Sequence, residues 1–76
     1  MIRIIDSHYN TLFTLNDGEK LKIIFPDNYE LIYPVYEIDE THIKVGTVIY
    51  HIREFAEKME YAKNKIVKYK EVELCC

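Results

Sequence analysis

The sequence predicts a small α+β domain: a mostly antiparallel sheet of four to six short strands, with one face covered by a single amphipathic helix. Three observations carry this expectation. The first forty-odd residues hold β-branched and aromatic residues in short runs cut by turn formers, whereas from residue 48 the apolar residues recur at three- and four-residue intervals. The chain has 76 residues, enough for one core and too few for two. With 49% hydrophobic and 30% charged residues, its composition is that of a folding globular chain and not of a disordered one.

Ile2, Ile4 and Ile5 form the first strand-like run, and Asp6-Ser7-His8-Tyr9-Asn10 breaks it. Residues 11–15 form the second. The strongest local signal follows in Asn16-Asp17-Gly18-Glu19, where Gly18 can take the positive φ that closes a hairpin onto a strand over 20–25. In that strand Leu21, Ile23 and Phe25 share one face and Lys20 and Lys22 the other, the alternation of a sheet buried on one side. Ile24 falls on the lysine face and is the exception. Pro26-Asp27-Asn28 predicts a turn, and the next strand runs from about Glu30 to Ile38. Pro34 lies inside it without an N–H to donate, which places this strand at a sheet edge or at a bulge. An edge strand can accept another chain, and Pro34 with Glu30 and Glu37 can equally guard against that.

His42 to Val45 reads as a further strand. Val48, Ile49, Ile52, Phe55, Ala56, Met59 and Ala62 then fall on one helical stripe, which predicts a helix over about 48–62 with Thr47 as its N-cap. Glu54 precedes Lys58 by four residues, the favourable order for a surface ion pair. A rival reading extends the strand through Tyr50 and starts the helix near His51, because Thr47-Val48-Ile49-Tyr50 is rich in strand formers. The helical stripe favours the first. Lys63-Asn64-Lys65 suits a helix C-terminus and a left-handed exit, and the alternation that follows supports a last strand.

Ten basic and 13 acidic side chains give a formal net charge of −3, which argues against a dedicated nucleic-acid binder. Charge is unevenly placed. Between Ile23 and Ile43 there are five carboxylates, Asp27, Glu30, Glu37, Asp39 and Glu40, and no Lys or Arg; Lys63, Lys65, Lys68 and Lys70 reverse the sign near the end. No apolar run is long enough to cross a bilayer and no leader pattern opens the chain, so a cytoplasmic protein without membrane contact is expected. Cys75 and Cys76 are adjacent and terminal, so they cannot close a disulfide framework; a frayed, oxidisable tail is expected there. The lipid-anchor reading of such a pair finds no phosphate loop to support it.

Enzymatic constellations are missing from the sequence. His8, His42 and His51 stand at no metal-ligand spacing, and one helix carrying His51 and Glu54 cannot supply the second pair that a di-iron site needs. Ser7 is the only serine and has no glycine-flanked elbow; Gly18 and Gly46 are the only glycines, each explained by a turn or a strand–helix junction. A protein with no catalytic residue, metal or cofactor is therefore expected. Seven tyrosines are the compositional oddity, and tyrosine suits interfaces because it buries area at small entropic cost while keeping a hydroxyl for a partner. Tyr29, Tyr33 and Tyr36 accompany the acidic segment. The expected contact patch is Glu30, Tyr33, Tyr36, Glu37, Asp39 and Glu40, directed at a protein partner; the rival account makes the tyrosines the large residues of a core without Trp. Two other functions remain open. Spaced carboxylates can imitate phosphates and occupy the channel of a host nucleic-acid enzyme, or Lys20, Lys22 and the lysines of 63–70 can join tyrosines in binding single-stranded nucleic acid, which the acidic segment disfavours. A homodimer through the exposed edge strand is also reasonable.

The segment His51-Ile52-Arg53-Glu54-Phe55-Ala56-Glu57-Lys58-Met59-Glu60, preceded by Tyr36-Glu37-Ile38-Asp39, resembles small accessory domains of Firmicute phages and conjugative elements, whose helix reads approximately His-Ile-x-x-Phe-Ala-x-x-Met. The likeness spans about a third of the chain and transfers no catalytic residue. It implies a host-modulating protein of a mobile element, a class that includes small acidic inhibitors of restriction and CRISPR nucleases.

Overall fold

The computed structural model describes residues 1–70, an α+β domain of seven strands in two antiparallel sheets with one helix. β1 (Ile2–Ile5) and β2 (Thr11–Leu15) form a hairpin. β3 (Lys20–Ile24), β4 (Glu30–Glu37), β5 (His42–Val45), β6 (Val48–His51) and β7 (Lys65–Lys68) form the larger sheet in the order β6-β5-β4-β3-β7. α1 (Ile52–Tyr61) joins β6 to β7 and packs on β1, β6 and β7. The register of the first hairpin shifts between Ile4 and Ile5, and such an irregularity lets both of these consecutive isoleucines be buried.

Alternation along the strands builds the core. Leu21 and Ile23 of β3, Val35 of β4, and Ile43 and Val45 of β5 turn to one face, where they meet Ile2, Ile4 and Leu15 of the hairpin and Phe55 of the helix. Each fully buried side chain of this size contributes roughly 1.5–3 kcal/mol through removal of apolar surface from water. Gly18 has φ +86° and closes the β2–β3 turn as its sequence predicts.

Several expectations are corrected. β4 is the central strand and not an edge: its first half pairs with β3 through Leu21↔Tyr33 and its second with β5 through Val35↔Val45. Pro34 is tolerated because β4 changes partner there. The neighbouring Val35 exchanges bonds with the β3 side, its N–H to Glu19 O at 2.9 Å and its O from Gly18 N–H at 2.7 Å. Pro34 O accepts from Gly46 N–H at 3.0 Å, where the β5 ladder ends. The missing donor of Pro34 thus faces a turn and interrupts no ladder.

The helix starts at Ile52 and not at Val48. Val48↔Val45 and Ile49↔Lys44 are ladder pairs, joined by Gly46-Thr47, a two-residue hairpin loop with Gly46 at φ +63°. A Cβ on Gly46 would stand 2.9 Å from the Tyr33 ring, so Gly46 is a hairpin glycine and not a strand–helix junction. His51, not Thr47, is the N-cap: its backbone is extended and its Nδ1 accepts the Arg53 N–H at 3.1 Å. On the helix surface, Arg53 pairs with Glu57 at 3.0 Å, while Lys58, expected to pair with Glu54, lies over the Tyr50 ring at 5.6 Å. At the C-terminus the left-handed residue is Lys63 (φ +58°). Lys63 N–H bonds to Glu60 O at 3.0 Å and Asn64 N–H to Met59 O at 2.9 Å, a Schellman arrangement with lysine in place of the usual glycine. Cys75 and Cys76, with the frayed tail expected there, lie outside the described residues.

Candidate functional site

A cleft of about 250 Å³ opens where the first hairpin, the β4–β5 turn and the start of the helix meet. Ile2, Ile5, Ile43 and Ile52 line it together with Glu37, Asp39, Glu40, Thr41 and His51 and with Met1, Arg3 and Tyr9 of the N-terminal segment; the Met1 ammonium stands 4.0 Å from Glu37 Oε1.

Each rim is held by its own turn. In the β4–β5 turn, Asp39 Oδ1 accepts the N–H groups of Thr41 and His42, both at 2.8 Å, and lies 2.9 Å from His42 Nδ1. The Thr41 backbone bond, with the His42 ring after it, lowers the Asp39 pKa to about 2. Thr41 O in turn accepts the Ile52 N–H at 2.8 Å, which ties the first helical residue to this turn. On the other rim, the Asp6 carboxylate gathers the N–H groups of His8 at 2.8 Å and Asn10 at 2.9 Å, and its pKa is lowered chiefly by the Asn10 bond. This turn sets Tyr9 at φ +64°, a conformation that costs a non-glycine residue about 1–2 kcal/mol. The Tyr9 ring then lies 5.4 Å from the Arg53 guanidinium.

His51 connects the cleft to the helix. Its Nδ1 accepts from the backbone, so in the neutral ring Nε2 carries the hydrogen, a tautomer assigned from the bonding network. His42 and His51 are directly opposite across β5 and β6, and their rings meet edge to face at 5.3 Å. Among the described residues, no three His, Cys, Asp or Glu side chains are placed to hold a metal ion. Among the same residues, no helix is long and apolar enough to cross a membrane.

Of the six residues expected to form a contact patch, the cleft brings together Glu37, Asp39 and Glu40. Tyr36 is exposed on the opposite face of β4, next to Gly18. Tyr33 turns inward with Leu21, half-buried against the core and beneath Gly46. An odd separation in a strand sends these two tyrosines to opposite faces, so they cannot share one patch. Glu30 sits at the far end of β4, roughly 20 Å from Glu37, where Lys22 approaches it at 3.3 Å. Sequence reasoning missed Tyr9, Thr41 and His51. The Asp39-x-Thr41 turn pattern was available for Thr41; nothing local points to Tyr9, which arrives from a different hairpin.

No family model matches the chain, and no curated protein or solved structure matches it.

Proposed function

We propose that this protein is a non-enzymatic protein-binding module whose cleft takes a basic side chain of a protein partner. One observation carries the reading: four isoleucines and three carboxylates, Glu37, Asp39 and Glu40, line one cleft, in which the Met1 ammonium already stands 4.0 Å from Glu37 Oε1. Arginine and lysine match that combination, since their aliphatic stems bury against apolar surface while the charged head seeks carboxylates. The bonds of Asp39 Oδ1 to its own turn keep the carboxylate ionised, and the exposed Glu40 supplies a further charge. The helix segment's resemblance to accessory domains of phages and conjugative elements supports a host protein as the partner. Convergence of the carboxylates around one hollow, with Glu30 far away beside Lys22, favours this reading over a row of phosphate mimics.

The test is an NMR titration of the full chain with a capped Leu-Arg-Leu peptide, followed on the isoleucine methyl groups. Shifts should concentrate on Ile2, Ile43 and Ile52, and Glu40→Lys should abolish them while leaving the thermal midpoint unchanged. Shifts elsewhere, or shifts that persist in Glu40→Lys, overturn the proposal.

A further inference from the structure

A second surface lies on the face of the larger sheet that turns away from the core. Strand register places its side chains in rows: Lys65, Ile24 and Glu30; Val67, Lys22 and Ile32; and, further along β4, Tyr36, Lys44 and Ile49. Lys22 therefore stands between Ile32 and Val67, and Lys44 between Tyr36 and Ile49. Lys20 shares this face one row on, opposite Pro34. Ile32, Tyr36, Ile49 and Val67 are between 40% and 57% exposed, so the surface is both apolar and open. Its charge runs against that of the chain: four lysines accompany one glutamate, Glu30, on a protein of net charge −3. None of these residues lines the acidic cleft.

We infer that this face docks an acidic amphipathic segment of a protein, one that alternates carboxylates with aliphatic side chains. Charge complementarity selects the carboxylates, which would join Glu30 among the lysines. The isoleucines and valine between the lysines select aliphatic groups, which gain burial at each contact. Single-stranded nucleic acid fits this surface less well, because base stacking needs open aromatic rings. Among the described residues, Tyr36 and Tyr69 are the tyrosines near it, and the Tyr69 ring already carries the Lys22 ammonium at 5.9 Å from its centroid. The inference is independent of the cleft, since it rests on other residues and takes a ligand of opposite charge.

The experiment is a titration of the isotope-labelled full chain with a capped peptide of alternating Leu and Glu. Backbone shifts should saturate at Lys22, Ile32, Lys44 and Val67, and the affinity should fall as salt rises. Lys44→Glu combined with Lys65→Glu should weaken the peptide at least tenfold with spectral dispersion intact. Lys44→Gln with Val67→Ser, which leaves less like-charge repulsion to explain a loss, should weaken it in the same direction. The matching Leu-Lys peptide should leave these residues unshifted. Three results overturn the inference: no saturable shift on this face, equal response to the Leu-Lys peptide, or an oligothymidine that shifts the same residues where the acidic peptide does not. The last would assign the face to nucleic acid.

Discussion

The two faces of the larger sheet are made by alternate residues of the same strands, yet they do different work. On β3 and β4, Leu21 and Val35 are fully buried, whereas Ile32, which pairs with Lys22, is 43% exposed. The inner residues touch the hairpin and the helix; the outer ones touch mainly solvent and one another. Hydrophobicity alone therefore does not mark the core here. What decides is whether another element of the chain lies across from the side chain, and the inner face has two such elements while the outer face has none among the described residues.

The largest expected effect belongs to the inner face. Phe55 is 2% exposed and joins helix to sheet, with its ring 5.3 Å from that of Tyr50. Phe55→Ala should destabilise the protein by about 3–5 kcal/mol, the usual loss for an aromatic side chain plus its cavity. A domain of this length holds roughly 4–11 kcal/mol in total. Urea unfolding should thus show a variant near its limit of stability, and a change under about 1 kcal/mol would mean that the helix is not the lid of this core.

A smaller effect is expected where the two faces end together, at His51. His51→Ala removes the acceptor for the Arg53 N–H and should cost about 1 kcal/mol, while Asn at this position, a good N-cap, should restore most of it. If Ala and Asn behave alike in thermal unfolding, the cap contributes nothing and the Thr41–Ile52 bond alone fixes the helix start.

How much of this was legible in the sequence follows from the range of the forces involved. The β2–β3 hairpin was legible because Gly18 and the alternation of Leu21 and Ile23 are local signals, and so was the α+β class. The helix start was not, because Val48 and Ile49 satisfy the helical stripe as well as the strand pattern. Pairing with Val45 and Lys44 resolved the ambiguity, and Gly46-Thr47 between two β-branched runs was the hairpin signal that pointed to it. Pro34 suggested an edge because its missing N–H is a local fact, whereas the change of partner that accommodates it is a property of three strands together. At the cleft, Glu37, Asp39 and Glu40 are neighbours in sequence and were found together. Tyr9 and His51 reach it through tertiary packing and were not.

Asp39 extends the comparison to pH. Its pKa is lowered from 3.8 to about 2 in the folded protein, so it contributes stability that is fully present above pH 3.8 and is lost as pH falls through about 2. Asp39→Ala should be less stable than the parent at neutral pH, and the gap between their urea midpoints should narrow from pH 3.8 downward. A gap that stays constant down to pH 2 would show that the lowered pKa does not couple to folding.

The smallest effect is expected on the outer face, and it separates the two faces most sharply. Val67→Ser and Ile32→Ser replace apolar side chains that are 40% and 43% exposed, so each gives up contact with its strand neighbours and some strand propensity but no core packing, and neither serine hydroxyl is cut off from water. Each should cost under about 1 kcal/mol. Each lies one position along its strand from a half-buried inward residue, Val67 next to Ile66 and Ile32 next to Leu31. A loss of 2 kcal/mol or more at either site, of the size seen on deleting a buried aliphatic side chain, would mean that the outer face is a covered surface of the folded chain. The acidic-segment docking site would then already be occupied from within. A loss under about 1 kcal/mol in both leaves these side chains open for a reason that folding does not supply, which is what a docking face requires.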